Sequence, residues 1–140
     1  MTTIAYLASK VTLPGSPLRR SDAFEHDYMM EALREPFEAQ GMMLEDVDWA
    51  DEAIDWSRFD AVIIGTTWDY WDQPDLFLST LEKLEGQTRL FNTASTVRWN
   101  SDKRSPKEPA AQAPRTIPTL WNDQVRPHAL QTAFKLLHTD

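Results

Sequence analysis

An α/β fold, with a short, mostly parallel sheet covered by helices on both faces, is what this sequence predicts, and three observations carry it. The segment Phe59-Asp60-Ala61-Val62-Ile63-Ile64-Gly65 holds an uninterrupted β-branched run, the pattern of a parallel strand buried on both faces. Extended apolar segments alternate with helical ones along most of the chain, as βαβ units require. At 140 residues the chain is long enough to bury roughly two thirds of its unfolded surface in one domain without metal or disulfide staples.

The elements follow in order. Thr3 to Ala8 leans toward a strand, and Val11-Thr12-Leu13-Pro14-Gly15-Ser16-Pro17 has the punctuation of a loop. A helix is expected from Ser21 as its N-cap, with Asp22 and Glu25 favouring its positive end. Phe24, Tyr28, Met29, Ala32, Leu33 and Phe37 form its expected apolar face, Pro36 disturbs its last turn, and Gly41 is its natural stop. Met42 to Val47 reads as a second strand, and Asp48 to Trp56 as an acidic segment in which tryptophans alternate with charge. The run at 59–65 is placed at the sheet centre. Pro74 to Leu84 is a helix with Phe77, Leu78, Leu81 and Leu84 on one face, ended by Gly86, and Arg89-Leu90-Phe91 begins a further strand. Beyond it, a short helix over Ala94 to Trp99, a proline-damaged one over Ser101 to Ala113, an extended segment over Thr116 to Thr119 and a helix from His128 to His138 are expected. A βαβ pattern calls for another strand after Asp140, so a larger architecture is expected to have been cut or to have degenerated at this point.

Composition narrows the function. The net charge is −8, and residues 1–70 hold 14 acidic against 5 basic side chains, leaving 8 against 9 in the rest. A field of that sign repels phosphate backbones and anionic lipid, which argues against nucleic-acid and membrane-surface roles. No apolar run approaches the roughly 20 residues of a membrane span. With no cysteine, the chain has neither disulfides nor a thiolate metal site nor a cysteine nucleophile, and it suits a reducing, cytoplasmic setting. Its four glycines are too far apart for a dinucleotide-binding turn or a P-loop. His26, His128 and His138 are too scattered for a zinc set, and His26 beside Glu25 and Asp27 reads as the polar face of a helix. No serine stands in a glycine-flanked strand-to-helix turn, and no catalytic residue is assigned.

Two stretches carry chemistry. Gly65-Thr66-Thr67-Trp68-Asp69-Tyr70-Trp71-Asp72 follows the central strand, where open parallel sheets bind ligands. Its hydroxyls, carboxylate and rings suit a small polar substrate, with Asp69 as the charge partner. The plainer reading has Trp68 and Tyr70 cover the sheet edge while Asp69 or Asp72 caps the next helix, and both remain open. Arg98-Trp99-Asn100-Ser101-Asp102-Lys103 joins two cations, an amide and a ring at a helix entry. A lysine there opposes the helix dipole, so it either faces an anion or simply points to solvent.

These stretches, with Asp46-Val47-Asp48-Trp49, Phe91-Asn92, Val97-Arg98-Trp99-Asn100, Lys103 and Ile117-Pro118-Thr119, resemble the amino-terminal part of an ATP-grasp branch. That branch is similar to glutathione synthetase and to the cyclo-ligase of cycloserine biosynthesis. The resemblance implies a Rossmann-like pre-ATP-grasp domain over residues 1–115 and the start of a truncated nucleotide-grasping region over 116–140. It implies a parent enzyme that uses ATP and Mg to join a carboxylate to an amine or related nucleophile, and an isolated chain that binds neither cofactor and is not catalytic alone. Asp27, Thr66, Thr67, Trp68, Asp69 and Tyr70 are the substrate-side candidates. Arg98, Asn100 and Lys103 are the cofactor-side candidates, Lys103 approaching nucleotide phosphate, and no metal ligand is assigned. Gly65 departs from the branch, which usually carries arginine there, and Pro106, Pro109 and Pro114 interrupt its leucine-rich helix. The alternative is a non-enzymatic interaction module that uses an exposed aromatic patch. Trp68, Tyr70, Trp71, Trp99 and Trp121 are its expected members, and a homodimer through the carboxyl-terminal half, by Trp99, Trp121 and the final helix, is its simplest closed form.

Overall fold

The structure, a computed structural model, describes residues 2–101 together with Gln131, Phe134 and Lys135, which are helical. The expected element over 101–113 beyond Ser101, that over 116–119, most of the helix at 128–138, and Lys103 and Trp121 lie outside the described residues. By its contacts the chain divides into Met1–Asp102 and Lys103–Asp140, and the architecture below is that of the first unit.

Four strands, β1 (Thr2–Ala8), β2 (Met42–Asp48), β3 (Ala61–Ile64) and β4 (Arg89–Phe91), form one parallel sheet in the order β2-β1-β3-β4. Ile4 stands opposite both Leu44 and Ala61, and Val62 opposite both Ala5 and Leu90. The β-branched run therefore does occupy the interior, sharing it with β1, and each of these two strands has parallel neighbours on both sides.

Alternation along β1 divides its side chains between two cores, as the period of two of a strand requires. Ile4 and Tyr6 meet Met30, Leu44 and Ala61, with Leu33 and Phe37 of helix α1 (Phe24–Ala39) packed against them. Ala5 and Leu7 meet Val47, Val62 and Leu90 on the opposite face, under Phe77, Leu81 and Leu84 of helix α2 (Pro74–Glu85). A third helix, α3 (Ala94–Ser101), follows β4. The link from β2 to β3 contains no α-helix, only a 3₁₀ turn over Trp56–Arg58. Trp49 and Trp56 fill the place a helix would take, buried in the α2-side core, with Trp49 edge-on to Phe77 at 5.1 Å. The tryptophans that alternate with charge in the sequence are core anchors, and the charges between them face outward.

Helix α1 departs from its expected form in two respects. It begins at Phe24, and its cap position, Ala23, has no side-chain cap bond. Arginines hold the turn that Ser21 was expected to cap: Arg20 grips both Asp22 oxygens at 2.8 and 2.6 Å, and Arg19 donates to the Ala23 carbonyl at 3.1 Å. The apolar face is also rotated. Phe24, Tyr28 and Met29 are exposed, whereas His26 and Met30 are buried and Leu33 and Phe37 are half-buried, a stripe at i, i+4, i+7 and i+11. Pro36 sits inside the helix, which ends at Ala39, and Gly41 follows at φ 71°, a left-handed value that suits glycine.

Candidate functional site

From β1 the chain turns one way to β2 and then crosses to β3 on the other side, so the sheet order reverses at the carboxyl ends of β1 and β3. Such a crevice is where open α/β sheets take their ligands. Polar side chains meet there. Ser9 Oγ donates to the Thr66 carbonyl at 3.2 Å, and Thr12 Oγ1 lies 3.0 Å from the same oxygen while accepting the Ser9 N–H at 3.0 Å. The loop after β1 is thus fastened to the turn after β3.

Beside this junction a cleft of about 400 Å³ opens between the ends of β3 and β4, lined by Gly65, Thr67, Tyr70, Asn92, Trp99 and Asn100 among others. Asn92, between β4 and α3, adopts φ 63°, which asparagine tolerates better than most residues, and so turns the chain sharply at the rim. Gly65 has a steric reason. A Cβ built there would stand 2.1 Å from Tyr6 Cζ, so the Tyr6 ring occupies the space a side chain at 65 would need.

Thr67 and Tyr70, from the substrate-side candidates, share the cleft with Asn100, from the cofactor-side ones. Thr66 and Asp69 are buried and hold the walls. Thr66 Oγ1 meets His26 Nδ1 at 2.6 Å, and Asp69 Oδ1 accepts the Trp49 indole N–H at 2.7 Å. Neither Asp69 nor Asp72 caps α2, whose cap position, Gln73, makes no side-chain cap bond. Trp68 is half-buried with the Arg20 guanidinium 5.3 Å above its ring, and Tyr70 leans on Phe77. Asp27 stands apart, paired with Arg19 at 2.6 Å beside a second cavity of about 260 Å³ that His26, Arg34 and Asp46 also line. Arg98 pairs with Glu82 of α2.

Ser9, Thr12, His26, Asp46 and Asn92 complete the arrangement. His26 is fully buried against Tyr6 instead of lying on a polar helix face, and its Nε2 is 3.0 Å from Asp46 Oδ2. The 26–30–33–37 spacing is the sequence signal that would have placed it inward. Burial pushes the Asp48 carboxyl up; the Ala50 N–H bonded to it opposes this, and the Asp69 charge adds to it. Burial also raises the Tyr6 phenol, with the Thr66 side chain acting against it, and the Tyr6 hydroxyl has no partner in hydrogen-bonding geometry.

Residues 4–92 match the family described as D-cycloserine synthetase DcsG, N-terminal domain. The chain belongs to this family. It is 38% identical over 93 residues to the cycloserine biosynthesis protein DcsG of Streptomyces lavendulae, an alignment covering 66% of this chain and 31% of that protein. The crystal structure of D-cycloserine synthetase DcsG superposes with a TM-score of 0.60 at 33% identity, over 73% of this chain and 31% of that one. The chain therefore corresponds to the amino-terminal part of an ATP-grasp-like ligase, and the matched region contains all four strands and the turn from Gly65 to Asp72. Among the described residues no group of three or more His, Asp or Glu side chains is disposed to hold a metal ion. No helix among them is long and apolar enough to cross a membrane.

Proposed function

We propose that this chain is the substrate-side domain of an ATP-dependent ligase that joins a carboxylate to an amine or related nucleophile. Its strand-end cleft takes a small polar, amino-acid-like molecule. The observation that carries this reading is the family match over residues 4–92, which includes Gly65, Thr67, Tyr70 and Asn92 of that cleft. Thr67 and Tyr70 offer hydroxyls and Asn92 and Asn100 offer amides, the sparse polar set that orients a ligand in a partly apolar pocket. Residues 1–115 form this domain and 116–140 open the nucleotide-grasping region. Lys103 faces nucleotide phosphate in the complete ligase, where ATP and Mg are held by parts beyond this domain, and the domain alone is not catalytic. A cysteine-free chain is suited to the cytoplasm.

The test is titration of the ¹⁵N-labelled chain with D-cycloserine, the compound in the relatives' name. Saturable shifts of the Gly65, Thr67, Asn92 and Asn100 amides are expected, with those of Thr80 and Lys83, at a separate cavity beside Trp56, unmoved. Shifts spread evenly over the surface, or absent at millimolar ligand, overturn the cleft as the binding site.

A second reading is favoured by Trp71 and Trp99, which are 57% and 58% exposed: an aromatic surface for a partner, the simplest being a second copy through the carboxyl-terminal half. Sedimentation equilibrium at micromolar concentration decides it. A dimer weakened by Trp99→Ala supports it, and a single species at the 16.1 kDa chain mass excludes it.

A further inference from the structure

His26 is the most deeply buried ionisable side chain that the cleft reading leaves without a role. It bridges Asp46 on β2, at Nε2, and Thr66 after β3, at Nδ1, across 20 and 40 residues of sequence. Hydroxyl, imidazole and carboxylate in series resemble a nucleophile with its base and orienting acid, but Thr66 lines neither the 400 Å³ cleft nor the 260 Å³ cavity. An attacking role is therefore set aside. Thr66 lies between Gly65 and Thr67, which do line the cleft, and its carbonyl is already fixed by Ser9 and Thr12. Its hydroxyl is the remaining handle on this turn.

We propose that His26 is a positioning residue for the strand-end cleft, setting through Asp46 the direction of the Thr66 hydroxyl and with it the seat of Gly65 and Thr67. The carboxylate of Asp46 can only accept, so it selects the tautomer with hydrogen on Nε2. Nδ1 is then an acceptor, and at 2.6 Å the Thr66 hydroxyl must donate to it. When the ring takes up a second proton, Nδ1 becomes a donor, and the Thr66 hydroxyl must turn its proton elsewhere. One protonation thus reverses a hydrogen bond beside the cleft. The charged and titratable groups around the ring are Asp46 from β2, with Arg34 4.0 Å from its other oxygen; Tyr6 from β1; and Asp27, held by Arg19, at the shared cavity.

The importance of this relay for binding rests on the cleft reading above, but its test uses no ligand, so failure of D-cycloserine to bind leaves the relay result intact. Long-range ¹H–¹⁵N correlation on the full chain near neutral pH should show the Nε2–H tautomer. On acidification, the Gly65 and Thr67 amides should follow the His26 ring through the same transition. Thr66→Ser, which keeps the hydroxyl, should preserve this. Thr66→Val should leave the ring titrating while the two amides cease to follow it. An Nδ1–H tautomer overturns the proposal, as do amides that ignore ring protonation or that follow it equally in Thr66→Val. If Thr66→Val does not fold, the tautomer and the co-titration in the unaltered chain decide alone.

Discussion

Asp69 was expected to face substrate as its charge partner, and the Trp49 indole takes one of its oxygens. Removing that acceptor leaves a buried N–H unpaired, so Asp69→Ala should lower unfolding stability by about 1–3 kcal/mol with no ligand present. Asp69→Asn keeps an acceptor and should recover most of the loss in urea titrations. Equal losses in the two variants would show that charge, and not the indole bond, matters there. Asp48 gives a pH signature of definite sign. Burial raises its folded pKa above the ordinary value of 3.8, so the native state holds its proton over a window in which the unfolded chain has released it. Stability from this group is full below 3.8 and falls as pH rises through the raised folded value. Asp48→Asn, which keeps the acceptor for the Ala50 N–H, should therefore raise the Tm at pH 7 and leave it nearly unchanged at pH 3.

Pro36 shows at the scale of an element how two opposed effects are weighed. Inside α1 it withholds a donor from the Ala32 carbonyl, a penalty of up to about 3 kcal/mol in a helix interior, while stiffening the unfolded chain by roughly 0.4–1 kcal/mol. The helix term is larger and the ring is exposed, so Pro36→Ala should stabilise by on the order of 1–2 kcal/mol in denaturant melts. Strands and helices with a continuous local pattern are legible in the residues themselves: Val62 to Ile64, Pro74 to Leu84 with its proline entry, and Arg89 to Phe91. The start of α1 is not, because no capping pattern marks the Arg19 and Arg20 contacts that hold the turn before it, and its face is decided between two possible stripes by Asp46 and Thr66, 20 and 40 residues from His26. The candidate site is legible in part for the same reason. Position after a central strand points to Thr67 and Tyr70, whereas the tie of Asp69 to Trp49 and that of Thr66 to His26 leave no local trace. Aromatic rings mislead in both directions: Trp49 and Trp56, flanked by acids, give no alternating stripe yet are interior, whereas Phe24 and Tyr28, on the expected apolar face of α1, are exposed.

At the scale of the whole molecule, β1 and β3 are bonded on both sides and β2 and β4, among the described residues, on one. Amides of Ile4 to Leu7 and Val62 to Ile64 should therefore exchange most slowly, close to the rate set by global unfolding. Val62→Asp, a charge placed without partner at a fully buried position, should abolish cooperative folding by circular dichroism. Exchange of β3 amides as fast as those of the loop at 10–20 would contradict this arrangement. The purified chain is expected to show no saturable ATP hydrolysis, since a single lysine does not replace the phosphate and metal shell of a complete ligase. Turnover that vanishes in Lys103→Ala would refute that expectation.

The Tyr6 ring lies in the space beside Gly65, so the two positions are not free to vary independently. A side chain at 65 needs the Tyr6 ring to leave its buried seat or a smaller residue at 6, whereas shrinking residue 6 first leaves only a cavity, a milder defect that a descendant survives more readily. Lineages that exchange glycine for arginine here therefore have one easier route and one costlier route. A historical order of substitutions is thus written into the packing: relatives with arginine at this place should carry a small residue opposite it, and ancestors reconstructed along the branch should show the small residue arriving first.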